Sequence, residues 1–271
     1  FTYRYTNDNG KYEFYSGIRE EMIGSNTNPI TWAIGSRVRI SQTLFLRGNI
    51  SKNYRIPVMN DLYWYGSYMT QGNPKLKPEE GYSEELGIDY ILTNNTFSII
   101  SKLSAFNNNV SQWIVWVQND TIWTPSNIKK VWARGIDFSL GIEKNYQKWH
   151  WGLELMGTGT LSTTEKSSDE SEISKQLPYV PKLKVNCSII LGYNSFLVKY
   201  NHIFTGKRYT TPSNAEYVDP YLVATLSIEK NFEGKSHLIK TFFRIDNVWN
   251  EEYQIRKYYP MPLRNYQIGV S

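Results

Sequence analysis

At 271 residues and 31.7 kDa, the chain can fill one large domain or two small ones. Aromatic residues are 15% of it, with 21 Tyr and 9 Trp, yet mean hydropathy is −0.50, which argues against an ordinary soluble enzyme. The net charge of +5 is spread along the chain with no basic stripe, which argues against a nucleic-acid partner.

A period of two dominates from the start of the chain. It predicts strands over 1–6, 11–22, 30–41, 43–54, 81–92, 96–117, 128–144, 148–163, 179–194, 195–208, 218–231, 237–249 and 262–271, about 13 in all. Within 31–40, Trp32, Ile34, Val38 and Ile40 oppose Thr31, Ala33, Gly35, Arg37 and Arg39. Within 132–143, Ile136, Phe138, Leu140 and Ile142 point one way, and Gly135, Asp137, Ser139, Gly141 and Glu143 the other. Leu183, Val185, Cys187, Ile189 and Leu191 repeat the pattern against Lys182, Lys184, Asn186, Ser188 and Gly192. Leu222, Ala224, Leu226 and Ile228 follow, and the last run sets Tyr266, Ile268 and Val270 against Gln267, Gly269 and Ser271.

Connections alternate in length. Asn7–Gly10, Ser41–Thr43, Thr93–Asn95, Asn145–Gln147, Tyr193–Ser195 and Glu233–Ser236 have the chemistry of tight hairpin turns. Between them fall long connections at 55–80, 118–127, 164–178, 209–217 and 250–261. Short turns at one end and long loops at the other are the pattern of an outer-membrane barrel. No run approaches the roughly 18–20 apolar residues of a spanning helix, whereas a spanning strand needs only about 10. The expected fold is therefore all-β, a transmembrane antiparallel up-and-down β-barrel. Ile136, Phe138, Leu140 and Leu183 should face lipid, and Asp137, Glu143 and Lys184 the lumen. Tyr12, Tyr15, Trp32, Tyr82, Tyr90, Trp132, Trp149, Trp151, Tyr221, Trp249 and Tyr266 fall near strand ends, as interfacial girdles do. The competing reading of these alternations is the solvent face of a soluble antiparallel sheet.

Three ordered stretches add a resemblance. The first runs Asn53-Tyr54-Arg55-Ile56-Pro57, through Asn60-Asp61-Leu62-Tyr63, to Gly72-Asn73-Pro74-Lys75-Leu76-Lys77-Pro78-Glu79. The second is Asn108-Asn109-Val110-Ser111-Gln112-Trp113-Ile114, then Asn127 and Gly135-Ile136-Asp137. The third is Ile245-Asp246-Asn247-Val248-Trp249-Asn250-Glu251-Glu252-Tyr253. Together they resemble signatures of TonB-dependent outer-membrane receptors, most of all the vitamin B12 (cobalamin) receptors. The resemblance implies a 22-stranded plugged barrel in the outer membrane of a Gram-negative bacterium. Residues 1–271 would be its C-terminal barrel portion, with the plug and first strands absent from this chain. The implied function is TonB-dependent uptake of a large nutrient, cobalamin or a related corrinoid. Ferric-siderophore or haem uptake, or a passive porin-type channel, are the alternatives. Implied partners are the TonB complex, the corrinoid or iron-chelate substrate, a surface lipoprotein and outer-membrane lipid.

No enzyme is expected, and no cofactor or metal. His150, His202 and His237 lack metal-ligand spacing. Glu20-Glu21, Glu84-Glu85 and Glu251-Glu252 are chain neighbours, so on a strand each pair splits between two faces. The single Cys187 excludes an internal disulfide. The binding candidates are loop aromatics: Tyr63, Trp64, Tyr65 and Tyr68, then Trp113, Trp116 and Trp123, then Tyr258 and Tyr259. Such side chains offer rigid surface with one polar handle, suited to a bulky amphipathic ligand or a protein partner. Anchoring at the outer membrane interface is the competing role for Trp113 and Trp116.

Overall fold

Thirteen strands hydrogen-bond in chain order into one antiparallel sheet, the up-and-down topology of a barrel wall. The computed structural model describes residues 1–23, 26–66, 68–119, 122–234 and 237–270. The strands are β1 (Thr2–Thr6), β2 (Tyr12–Arg19), β3 (Thr31–Arg39), β4 (Leu44–Arg55), β5 (Glu79–Thr93), β6 (Phe97–Asn119) and β7 (Ile122–Tyr146). They continue with β8 (Trp149–Lys166), β9 (Leu183–Tyr193), β10 (Phe196–Thr205), β11 (Tyr221–Glu233), β12 (Leu238–Asp246) and β13 (Asn265–Val270). Two units compose the chain: Phe1–Gly87 with Ala105–Gly135 and Leu161–Leu177, and Ile88–Ser104 with Ile136–Thr160 and Pro178–Ser271.

Local chemistry sets the short turns. The Asn7 side chain accepts from Tyr12 N, and the Asn94 side chain accepts from both Thr96 N and Phe97 N. Gln147 and Asn194 take left-handed backbone in two-residue turns, where Asn is among the residues that tolerate a positive φ. Of the tight turn expected at Glu233–Ser236, residues 235 and 236 lie outside the described residues, as does Ser271 at the end of the last alternating run.

Cross-strand register fixes the faces. In the second unit Leu153, Ile189, Tyr200, Leu226 and Ile245 stand opposite one another in successive pairs, an apolar row. The next row is polar: Glu154 faces Ser188, which faces Asn201, which faces Thr225. Leu183 falls on the apolar face opposite Gly159, and Lys184 on the polar face opposite Thr158 and Thr205. Asp137 joins that face by accepting from the Thr158 hydroxyl at 2.7 Å. Glu229 bridges Lys199 (3.4 Å) and Lys240 (2.8 Å) across three strands.

Burial is inverted relative to a soluble domain. Among the described residues the buried apolar side chains are Ile114, Val131, Val218 and Ala224. Glu79, Asp61, Asp89, Arg208, Asn247 and several Ser and Thr are buried beside them, while Ile136, Leu183, Ile189, Leu222 and many other large apolar groups are exposed. An apolar face with no protein cover is what a lipid-facing wall presents. Aromatics gather at both ends of that face. Trp149 packs on Tyr193 at 4.6 Å beside a short turn, and Trp32 meets Tyr82 edge-on at 6.5 Å toward the long-loop end.

Two expectations need correction. Tyr15 stands opposite Arg4 and Gly35, and Tyr221 opposite Thr205, so both lie on the polar face and are not girdle residues. Of the loop expected over 118–127, residues 118–119 and 122–127 are instead strand, because β6 and β7 run to 23 and 25 residues, and 120–121 lie outside the described residues. Gln112, at φ 57, interrupts β6, and the Asn127 amide fills the irregularity by donating to Gln112 O at 2.7 Å.

Candidate functional site

Signature residues close loop 56–78 at its base. Arg55, the last residue of β4, forks onto Glu79, the first of β5: Nε donates to Oε2 at 2.7 Å, and Nη2 to Oε1. Glu79 is buried, and its Oε1 also accepts from Ile114 N at 2.9 Å. The bidentate pair ties both loop ends to β6. Nearby, Tyr54 donates to Glu21 at 2.5 Å. That hydrogen bond, with Arg19, holds the Glu21 carboxyl below its ordinary value.

Above this clamp the loop lies on the β6–β7 hairpin. A short helix, α1 (Met59–Tyr63), turns Asp61 inward, where it accepts from Trp116 Nε1 at 3.1 Å. Asn73 N donates to Asp61 O at 2.8 Å, and the Asn73 amide to Pro125 O at 3.0 Å. Asn127 exchanges hydrogen bonds with the Lys77 backbone at 2.8 and 2.9 Å. Trp123 N donates to Met69 O, Gln71 N to Trp123 O, and Thr70 bridges Trp123 in parallel. Pro74 and Pro78 suit a segment held by side chains and not by a ladder. Gly72 has no alternative, since a Cβ there would stand 2.6 Å from Trp64 N.

The predicted aromatics separate into two roles. Trp64 folds back over Gly66, where a Cβ would meet its ring at 2.5 Å, and donates to Thr70 at 3.2 Å. It braces the loop, as Trp116 does through Asp61. Tyr65 and Tyr68 project freely, at 93% and 102% exposure, and Tyr63 and Trp123 are also exposed. Trp113 is half-buried in β6. Sequence reasoning found the aromatics and missed Arg55, Glu79 and Asp61 as the residues that position them. Their carboxylates and guanidinium stood in the quoted motif, but their partners are 24 and 55 residues away.

In the second unit, buried Arg208 donates to Gln254 O at 2.7 Å and Ile255 O at 2.9 Å, joining the last two long connections, and lies over the Tyr221 ring. Asn247, left-handed and buried, accepts from Glu251 N and donates to Glu251 O, each at 2.8 Å. The third signature thus turns the chain into its final loop. Tyr253 packs on Tyr221 at 4.7 Å, and burial raises its phenol. A cleft of about 500 Å³ opens between Tyr217, Asp219, Tyr253, Tyr258 and Met261. Lys257, kept protonated by Glu216 at 2.7 Å, stands over the Tyr258 ring, and Tyr259 is exposed outside the cleft.

An antiparallel wall with an uncovered apolar face, a polar face and tied loops at one end is the architecture of an outer-membrane barrel protein. A family model described as "TonB dependent receptor-like, beta-barrel" matches residues 2–248, and the chain belongs to that family, one of outer-membrane transport receptors and not of enzymes. The vitamin B12 transporter BtuB of Photobacterium profundum is 22% identical over 269 residues, covering 94% of this chain and 39% of that protein. BtuB of Vibrio vulnificus (strain CMCP6) is 24% identical over 266 residues, covering 97% and 39%. The chain thus spans about two fifths of the length of these relatives. The siderophore receptor PirA from Acinetobacter baumannii shares the fold at TM-score 0.72 and 18% identity, covering 96% of this chain and 43% of that one. Copper transporter OprC matches at TM-score 0.72 and 13% identity, covering 99% and 46%. One wall therefore serves proteins named for chemically different cargo. Among the described residues no helix is long and apolar enough to cross a membrane.

Proposed function

We propose that the full protein is a TonB-coupled receptor in the outer membrane of a Gram-negative bacterium, with a plug preceding this barrel portion, and that it takes up a corrinoid such as cobalamin. One observation carries the capture step. Loop 56–78 is clamped at its base and latched to the hairpin, so Tyr65 and Tyr68 project from a held backbone. Rigid exposed aromatics on a preorganised loop lose little entropy on contact. The BtuB relatives support the substrate. Tyr63, Trp123, Tyr258 and Tyr259 are the further contacts for the ligand or for a surface lipoprotein that delivers it, and Trp64 and Trp116 act by holding the loop.

The test is equilibrium binding of cobalamin to the purified full-length receptor. Replacing Tyr65 and Tyr68 together with Ala should weaken binding by about tenfold or more, roughly 1.4 kcal/mol. Barrel assembly, read by a heat-modifiable gel shift, should stay intact. Uptake into cells should stop on adding an uncoupler, and uptake that persists would favour a passive channel. A receptor that binds a ferric siderophore or haem and no corrinoid would overturn the substrate.

A further inference from the structure

Near the short turns of the second unit, one lysine stands on the apolar, outward face of the wall. Glu229 and Lys230 are neighbours toward the end of β11. Glu229 points inward to Lys199 and Lys240, and Lys230 points outward opposite Phe196. Among the described residues of β9 to β13, Lys230 is the one lysine, arginine or carboxylate on that face. Its cross-strand row runs Trp149, Tyr193, Phe196, Lys230 and Thr241, so a single cation interrupts an aromatic girdle. The row directly deeper is apolar, with Leu191, Val198, Ile228 and Phe243, and on the turn side Phe232 stands opposite Ile239. The ammonium lies 4.9 Å from the Phe196 ring centroid and 5.8 Å from that of Phe232. Those rings attract the charge, but a lysine has three donors to satisfy. The adjacent Thr241 hydroxyl is already spent on Lys230 O at 3.4 Å. A counter-ion from elsewhere in a longer protein is out of reach. A plug would lie on the opposite face, and a strand added beyond β13 would stand three positions from β11, roughly 14 Å away at ~4.8 Å per strand.

We infer that Lys230 anchors one acidic phospholipid of the periplasmic leaflet, its ammonium donating to a phosphodiester oxygen beside the Phe196 and Phe232 rings. The acyl chains lie along Val198, Ile228 and Phe243, the apolar row that begins where the girdle ends. Charge complementarity selects the occupant. A cation among apolar side chains on a lipid-facing wall is costly unless it meets an anion, and at the membrane surface the headgroups supply one. A headgroup with net negative charge, such as phosphatidylglycerol, is favoured over one that carries its own cation. Short turns mark the periplasmic end of such a wall, which assigns the leaflet. The site rests on the wall and its sidedness, and on neither energy coupling nor cargo.

The test is native mass spectrometry of the full-length receptor released from detergent micelles, titrated with dioleoylphosphatidylglycerol and, in parallel, dioleoylphosphatidylcholine. Wild type should retain phosphatidylglycerol in preference to phosphatidylcholine. Lys230→Gln should lose one equivalent of the acidic lipid, or bind it about fivefold more weakly, the scale of one basic residue at an anionic membrane surface. Lys230→Arg should keep it. Lys75→Gln, which makes the same charge change on an exposed loop residue, should also keep it. Phe196→Leu should weaken retention while leaving the charge in place, which a purely diffuse electrostatic attraction would not do. A heat-modifiable gel shift confirms that each barrel is folded, and Lys230→Gln should fold readily because it removes a charge from the lipid face. Equal retention of phosphatidylglycerol by Lys230→Gln, or no preference over phosphatidylcholine in the wild type, would overturn the site. So would a receptor dimer that Lys230→Gln abolishes, which would make this row a contact between copies. Because the measurement needs no transport, its failure is distinguishable from failure of the uptake reading.

Discussion

Removing Arg55 should open loop 56–78 without unfolding the wall. Among the described residues, buried Glu79 would keep only the Ile114 N–H, 2.9 Å away, as a partner. Stripping one partner from a buried pair costs about 3–5 kcal/mol. The Arg55 side chain is 52% exposed, so water screens part of the interaction, and about 2 kcal/mol is the better expectation. At 1.4 kcal/mol per decade that is roughly a 30-fold rise in local opening. The amides that report it are Gly72 N on Trp64 O, Asn73 N on Asp61 O and Lys77 N on Asn127 Oδ1. Hydrogen exchange by mass spectrometry on the full-length receptor should show faster exchange over 72–77 in Arg55→Ala, with protection of β9 and β10 unchanged. Glu79→Ala should match it, and the double variant should be no worse than the worse single one, since both break one contact. Unchanged protection over 72–77, or additive effects, would refute the clamp.

Three further outcomes follow from face, turn and charge. Ile189→Arg, mid-strand on the apolar face between Leu153 and Tyr200, should cost roughly 2–4 kcal/mol in urea unfolding from liposomes, while Ser188→Arg on the polar face is tolerated. The reverse order would mean the register is inverted. Asn247→Ala loses two side-chain bonds to Glu251 and places a Cβ-bearing residue less suited to φ 52, for about 2–3 kcal/mol of local stability. Proteolytic nicking within 250–261 should accelerate accordingly. Tyr54→Phe should bring the Glu21 carboxyl back up toward its ordinary value, because the phenol hydrogen bond that lowers it most is gone. A ¹³C-glutamate titration reads that shift. The Glu21–Tyr54 contact itself, with a depressed carboxyl, should be present at neutral pH and lost as pH falls through that depressed value.

The sequence by itself determined the strands, their faces and the short turns. Alternation of period two is written residue by residue, so Ile136 against Asp137 or Leu183 against Lys184 declares its side of the wall without reference to any partner. Tight turns are equally local, set by Asn and Gly within four or five residues. The motif order also placed the chain among TonB-dependent receptors, as the match over 2–248 bears out. Tertiary structure alone decided what the loops do. Residues 118–127 read as a loop because they carry turn formers and Pro125, but β6 and β7 are sheet neighbours and run as strand up to Asn119 and from Ile122. Strand propensity depends on such context. Trp64 and Tyr65 are neighbours of similar chemistry, yet one braces the loop through Thr70 and the other projects outward. Tyr15 left the expected girdle for the polar face because register put it opposite Arg4 and Gly35. Above all, Arg55 and Glu79 close the loop through a pairing between distant segments. Which guanidinium meets which carboxylate is fixed by cross-strand register and loop closure, quantities that no local pattern encodes.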